Sequence, residues 1–152
     1  MSNDRPVLVW MIFNHQSLAL LAPHPVPSFV SWSPPPVRFC KLNFDGSAPN
    51  NLSMAGVVLR DDLDNHIPSR TYNLGSCPAF LAIVIALRNG LLLARAHNIS
   101  HIFIEGDNLM VINILQGHFK CPWKLHLLMN DIKKILESFS TFHSHHIYRE
   151  GN

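Results

Sequence analysis

The pattern of apolar and polar residues just after residue 38 predicts three short β-strands. Within residues 39–45 the apolar side chains Cys40, Leu42 and Phe44 alternate with other residues, which is the period-two pattern of a strand. Residues 54–60 and 67–74 also have strand composition, and the polar cluster at 61–65 (DDLDN) predicts a turn between them. Three short strands with tight connections indicate an antiparallel meander.

The pattern then changes to helices alternating with strands. A helix is predicted after Pro78, which suits a first helical turn, and the first half of this helix is apolar all round, so we expect it to be deeply buried. The predicted helices cover residues 79–96, 108–116 and 123–139, and the predicted strands cover residues 99–105 and 141–148. In the last helix the apolar positions are Leu125, Leu128, Ile132, Ile135 and Leu136.

These elements predict an α/β fold. Their order is βββαβα(α)β, which gives a mixed sheet: an antiparallel meander leads into parallel strands through helical crossovers, and the helices pack on the sheet. With 47% hydrophobic and 14% charged residues in 152, the chain has enough apolar material for one core, and wholesale disorder is excluded.

The first 37 residues have a different composition and predict a flexible leader ahead of a domain at 38–152. Seven of the eleven prolines lie in this stretch, and consecutive prolines favour extended polyproline conformation. The apolar run at 7–13 (VLVWMIF) is much shorter than the roughly 20 residues of a spanning helix. Neither a signal peptide nor a membrane partner is therefore expected. Three widely spaced cysteines without a CxxC pair favour reduced thiols and an intracellular location.

Two carboxylates follow predicted strands that should be parallel neighbours. Asp45 ends the first strand and Asp107 comes just after the fourth, so both should emerge at the same edge of the sheet, where open α/β sheets bind ligands. Carboxylates that converge there could hold Mg²⁺. The alternative is that Asp45 forms a turn and Asp107 caps a helix. Spacing alone leaves both interpretations open.

An ordered set of short segments adds to this interpretation. They are WSPPP at 32–36, KLNFDGS at 41–47, AGVVLRD at 55–61, ALRNGL at 86–91, IEGD at 104–107, NDI at 130–132 and HIYREGN at 146–152. In this order and spacing, residues 32–152 resemble the plant ribonuclease H-like (type 1) domains. These domains are related to the ribonuclease H segment of non-LTR retrotransposon reverse transcriptases. Each segment is weak by itself, but the ordered set is specific.

The resemblance implies a hydrolase, an endonuclease that cuts the RNA strand of RNA–DNA hybrids. In the family, four carboxylates hold two Mg²⁺ (or Mn²⁺) ions about 4 Å apart. By position, Asp45 matches the first carboxylate and Asp107 the third, so both are the expected catalytic and metal-binding residues. Gly46 and Ser47, which follow Asp45 in the matched segment, are the expected substrate-binding residues. The implied partner is an RNA–DNA hybrid.

The chain departs from the family pattern at two places. The second carboxylate should be a glutamate in the helix at 79–96, but that position is Ile83, and no Asp or Glu lies between Asp64 and Glu105. The fourth carboxylate and the final helix would lie beyond Asn152. From this we expect a degenerate site, weakened metal binding, little or no nuclease activity and a sheet without its final helix. Whether the chain is an enzyme stays open.

Other features allow a different class of function, a non-catalytic module that binds nucleic acid or protein. Lysines 120, 124, 133 and 134 flank the last helix and could contact phosphates or form a solvated face, although a net charge of +2 indicates only weak nucleic-acid binding. His143 and His145 should share a face of the last strand, as solvated residues or as metal ligands. Trp32 and Trp123 are predicted to be packing residues. The oligomeric state is left open.

Overall fold

The computed structural model describes residues 32–149, and in this part the chain forms a five-stranded sheet and three α-helices. The strands are β1 (Cys40–Ser47), β2 (Ser53–Arg60), β3 (His66–Gly75), β4 (His101–Gly106) and β5 (Thr141–His146). The helices are α1 (Ala79–Ala96), α2 (Leu109–Leu115) and α3 (His126–Leu136). Residues 1–31, most of the predicted leader, and residues 150–152 at the predicted truncation lie outside the described part.

The sheet has the predicted topology. Its strand order is β3-β2-β1-β4-β5. The pairs β1–β2 and β2–β3 are antiparallel, whereas β1–β4 and β4–β5 are parallel. The predicted α/β class and the order βββαβα(α)β are therefore confirmed. The parallel β1–β4 pair lies at the centre of the sheet and brings the carboxyl ends of both strands to one edge.

The side chains of strand β1 alternate between the two faces of the sheet, as the sequence pattern predicts. Cys40, Leu42 and Phe44 are buried in the apolar core, where α1 packs on β1 and β2. Lys41 and Asn43 lie on the opposite face, and both contact the carboxylate of Glu105 on β4. Complete burial of the central strand explains why its polar residues are paired rather than solvated.

The Lys41–Glu105 ion pair ties the segment before β1 to the sheet. Lys41 Nζ lies 2.8 Å from Glu105 Oε1 and donates to the carbonyl oxygen of Ser33 at 2.6 Å. The ammonium also lies 5.3 Å from the ring centroid of Trp32. Trp32 is thus a packing residue, as predicted. Trp32 and Ser33 fall within the predicted leader yet contact β1.

Helix α1 has the predicted bounds but not the predicted depth of burial. Its length and composition alone would suit a membrane span. In the structure it packs on the sheet and on α3, and its Arg88 forms an ion pair with Asp131 of α3. Phe80 and Leu81 in its first half are only partly buried, because the sheet and α3 cover one side of the helix. The expectation that this half is buried all round was wrong.

Two predicted elements are shorter in the structure. The helix predicted at 123–139 begins as a 3-10 turn at Trp123–Leu125, and its α-helical part ends at Leu136. The Ser138 hydroxyl donates to the carbonyl oxygen of Ile135 at 2.6 Å, a local bond that competes with further helix. Strand β5 ends at His146 instead of residue 148.

Helix α1 approaches β1 most closely at Gly46. A Cβ atom on this residue would lie 2.4 Å from the backbone nitrogen of Ile83 and 2.5 Å from the carbonyl carbon of Ala82. Backbone atoms of a packed helix cannot move aside as the end of a flexible side chain can. The absence of a side chain at Gly46 is therefore what lets α1 lie against the end of β1.

Gly46→Ala should destabilise the protein by about 1–3 kcal/mol, the usual cost of overpacking a core. Gly90→Ala is the matched control. A Cβ atom there would meet side-chain atoms, Leu42 Cδ1 at 2.6 Å and Val57 Cγ1 at 3.2 Å, rather than backbone atoms. The replacement of glycine by alanine within a helix also stabilises the helix by up to about 1 kcal/mol. Urea unfolding of both variants measures the difference. Equal losses at the two positions would contradict the assigned role of Gly46.

Candidate active site at the ends of strands β1 and β4

Asp45 is a buried carboxylate near the end of β1. Its side chain is only 5% exposed, and its Oδ1 accepts a hydrogen bond of 2.8 Å from the backbone N–H of Gly46. Burial raises the pKa of Asp45 to about 7, and the neighbouring negative charge of Asp107 raises it further, against the opposing effects of the Gly46 hydrogen bond and of Arg149. In the parallel register Asn43 pairs with Glu105, so Asp45 and Asp107, two residues further along each strand, lie at the same edge of the sheet.

Asp107 follows β4 directly and is held by the last residue of β5 and by a residue just beyond it. Arg149 Nε lies 3.1 Å from Asp107 Oδ2, and His146 Nε2 lies 3.1 Å from the backbone oxygen of Asp107. Helix α2 is capped not by Asp107 but by Asn108, whose Oδ1 accepts from the backbone N–H of Val111 at 3.0 Å. The carboxylate of Asp107 is therefore not used as a helix cap, which was one of the two interpretations left open.

The other predicted site positions adjoin Asp45. Ile83 lies beside Gly46 through the close approach of α1, and its side chain packs partly buried against the core. The backbone N–H of Gly46 is used to hold Asp45, and Ser47 is buried at the end of β1. A substrate contact by Gly46 or Ser47 remains a prediction.

Two further carboxylates lie away from this site. Glu105 is buried and paired with Lys41, and Asp131 is paired with Arg88 between α1 and α3. Neither is available beside Asp45 as a replacement for the glutamate missing at position 83.

Asp45 and Asp107 carry oxygen ligands of the kind that Mg²⁺ takes in proteins. Mg²⁺ is usually bound by one or two carboxylates together with substrate phosphates and water. Burial and the nearby charge of Asp107 raise the pKa of Asp45, and a cation bound between the two carboxylates would oppose both effects. A two-ion arrangement with four carboxylates does not fit the described residues, because Ile83 offers no oxygen ligand. Among residues 32–149, no group of three or more His, Cys, Asp or Glu residues could hold a metal ion.

Arg149 is the site residue that the sequence alone did not assign. It belongs to the segment HIYREGN, but no local spacing connects residue 149 with residue 107. The link depends on the parallel β4–β5 pairing, which continues past β5 with a 3.0 Å hydrogen bond from Ile147 N–H to the carbonyl oxygen of Gly106.

His143 and His145 lie on the predicted common face of β5. Their ring centroids are 6.3 Å and 6.4 Å from that of Phe103 on β4, so both histidines adjoin an aromatic side chain. With Leu115, Gln116 and other residues they line an open groove of about 640 Å³.

Trp123 is not the packing residue that was predicted. Its side chain is 77% exposed at the start of the 3-10 turn, and Lys124 Nζ lies 5.7 Å from its ring centroid. Leu127, one helical turn later, is 87% exposed. The core positions of this helix are taken by residues such as Leu125, Met129 and Ile132, which leaves Trp123 on the outside.

A family model described as Reverse transcriptase-like matches residues 43–152, which include Asp45, Ile83 and Asp107. The chain belongs to this family. The match covers every described strand and helix, apart from the first residues of β1. It supports the ribonuclease H-like domain expected from the ordered segments.

A plant relative agrees with this assignment. Over 129 residues the chain is 27% identical to an Arabidopsis thaliana protein named as a ribonuclease H protein. That alignment covers 84% of this chain and 21% of the relative, so the chain spans about a fifth of the length of the curated relative that it matches.

Solved structures share the fold at low sequence identity. Ribonuclease H1 of the halophilic archaeon Halobacterium salinarum is 21% identical with a TM-score of 0.69, and the match covers 73% of this chain and 86% of that one. The N-terminal ribonuclease H domain of a Mycobacterium tuberculosis protein is 16% identical with a TM-score of 0.70, covering 73% and 83%. A ribonuclease H1 isolated from compost, solved in complex with an RNA/DNA hybrid, is 20% identical with a TM-score of 0.68, covering 73% and 86%.

Replacing Asp45 by Asn should stabilise the metal-free protein, and the gain should grow as the pH rises from about 4 to about 8. An unfolded aspartate has a pKa of about 3.9, whereas that of folded Asp45 is about 7. The folded state therefore holds this proton more tightly, and its stability falls as the pH rises between the two values. The gain has an upper bound of about 4 kcal/mol, since a tenfold difference in proton affinity corresponds to about 1.4 kcal/mol.

Thermal unfolding of the parent and the variant at pH 4, 6 and 8 measures this effect. Asp64→Asn, at an exposed position between β2 and β3, controls for the loss of one negative charge. Parallel pH profiles for the parent and Asp45→Asn would show that Asp45 is not held in an unfavourable environment.

Proposed function

We propose that this domain is a ribonuclease H-type nucleic-acid-binding domain in which the hydrolysis of RNA in RNA–DNA hybrids is weak or lost. The observation that carries the proposal is that Asp45 and Asp107 lie at the ends of neighbouring parallel strands, while α1 meets the end of β1 at Ile83 rather than at a glutamate. The family match and the ribonuclease H neighbours, one of which was solved with an RNA/DNA hybrid, support the substrate class.

In this proposal Asp45 and Asp107 together hold one Mg²⁺ or Mn²⁺ ion. When bound, such an ion supplies Lewis-acid stabilisation of phosphate oxygens and activation of water. The residues of the chain contribute position and charge. The Gly46 N–H fixes Asp45 Oδ1, and the bond between His146 and the Asp107 backbone fixes the loop after β4.

Ile83 is the reason for expecting weak activity. Its side chain has no oxygen, so the site lacks one negative charge and one ligand relative to the family pattern. An isoleucine side chain also offers no polar partner to water that is bound to a metal ion. The affinity for the metal ion should therefore be lower, and the ion should be positioned less precisely.

Ile83→Glu should increase both Mg²⁺ binding and hybrid cleavage. An increase on the order of tenfold corresponds to ~1.4 kcal/mol, within the range for one added charge contact near a protein surface. The assay is the cleavage of a labelled RNA–DNA hybrid in Mg²⁺ or Mn²⁺ by the parent, Ile83→Glu and Ile83→Gln. The glutamine variant has nearly the size and polarity of glutamate without its charge, so it separates metal ligation from altered packing.

Asp45→Asn, alone and combined with Ile83→Glu, should abolish any cleavage that is seen. Strong cleavage by the parent that depends on Asp45 would contradict the proposed loss of activity. Cleavage that survives Asp45→Asn would contradict the proposed site. An Ile83→Glu variant no more active than Ile83→Gln would contradict the explanation based on position 83.

A second function of a different class is favoured by the exposed surface around Trp123. An exposed tryptophan beside Lys124, with Lys120 nearby in sequence, provides a stacking plane and positive charge, the combination that binds single-stranded nucleic acid. In this alternative the domain keeps the fold and binds nucleic acid without cleaving it. It does not require Asp45 or a metal ion.

Trp123→Ala should weaken binding of a labelled single-stranded oligonucleotide by about 1–3 kcal/mol if bases stack on this ring. Trp123→Phe should retain most of the affinity, because it retains an aromatic face. Lys124→Gln should lower the slope of log affinity against log salt by about one. Fluorescence anisotropy across a salt series measures all three. Equal affinity of the parent and Trp123→Ala would exclude stacking on this surface.

A further inference from the structure

Arg149 brings a permanent positive charge to the carboxylate pair. Its Nε lies 3.1 Å from Asp107 Oδ2, and the Asp107 side chain is only 12% exposed, whereas that of Arg149 is 47% exposed. A guanidinium group stays charged at every pH at which the protein is folded. The buried end of this ion pair is thus the carboxylate, and the cation reaches it from the solvent side.

The same guanidinium influences the second carboxylate of the pair. Asn43 and Glu105 are partners in the parallel β1–β4 register, so Asp45 lies level with Asp107 and close to the charge that Asp107 binds. The hydrogen bond from the Gly46 N–H to Asp45 carries no net charge. Arg149 therefore offsets part of the repulsion that the convergence of the two carboxylates creates.

We propose that Arg149 is the resident counter-cation of the Asp45–Asp107 pair and competes with Mg²⁺ for Asp107. The inference rests on the proposed function, since it concerns the same two carboxylates and the same metal ion. A divalent ion bound to Asp107 would lie close to a guanidinium group of like charge. Binding of Mg²⁺ at Asp107 must then either break the Arg149–Asp107 ion pair or proceed against the repulsion between Mg²⁺ and the guanidinium group.

Arg88 provides a matched comparison within the chain. It forms an ion pair with Asp131 between α1 and α3, and both side chains are partly exposed. Arg88→Met and Arg149→Met each remove one positive charge, and with it the ion pair to Asp131 or to Asp107. Only the second change removes a charge from the carboxylate site.

The test is the thermal midpoint of the substrate-free protein as a function of Mg²⁺ concentration, which reports ligand affinity through stabilisation of the folded state. Arg149→Met should lower the metal-free midpoint more than Arg88→Met does, because the two carboxylates lose their counter-charge. It should also bind Mg²⁺ about fivefold more tightly, the equivalent of one partly exposed ion-pair interaction. Arg149→Lys, which keeps the charge, should resemble the parent, and Arg88→Met should leave Mg²⁺ affinity unchanged.

Unchanged or weaker Mg²⁺ binding by Arg149→Met would overturn the inference, because Arg149 would then be neutral or would position Asp107 for the metal. Asp45→Asn separates this result from a failure of the proposed function. If Asp45→Asn abolishes Mg²⁺ binding while Arg149→Met leaves it unchanged, only the role of Arg149 is wrong. If Asp45→Asn binds Mg²⁺ as the parent does, the ion binds elsewhere, and the proposed metal site fails together with the inference.

Discussion

The burial of one carboxylate close to a second is the constraint that governs this edge of the sheet. The parallel pairing of β1 with β4 places Asp45 and Asp107 together, and the burial of β1 keeps water from screening them. The Gly46 N–H and the guanidinium of Arg149 reduce the resulting cost without removing it. The stability of the protein therefore comes from elsewhere, mainly from the apolar face that β1, β2 and β4 present to the helices.

Much of that scaffold could be predicted from the sequence, since its signals are local and repeated. Alternation at Cys40, Leu42 and Phe44 marks a central strand. The uninterrupted run after Pro78 defines α1 from Ala79 to Ala96. Asp45 and Asp107 could be placed at one edge because strand order and direction follow from the order of the elements. Residue spacing thus predicts positions at strand ends well.

The features that escaped prediction depend on contacts between distant parts of the chain. Glu105 has the same local appearance as Asp107, yet it is bound to Lys41, 64 residues earlier, and is buried. Arg149 reaches Asp107 only through the β4–β5 pairing. Trp123 has the composition of a core residue, but the 3-10 turn at Trp123–Leu125 turns it outward. The local spacing of residues does not reveal the partners of Glu105 and Arg149 or the exposure of Trp123.

The contact between Gly46 and α1 involves backbone atoms of the helix and does not involve the side chain of residue 83. What Gly46 meets at position 83 is the backbone nitrogen, an atom that every amino acid other than proline presents in the same way. A substitution at position 83 therefore leaves the backbone contact between α1 and the end of β1 in place. The backbone contact with Gly46 is the same whether position 83 carries glutamate or isoleucine. The packing of α1 on β1 and the chemistry available at position 83 therefore depend on different atoms of the same residue.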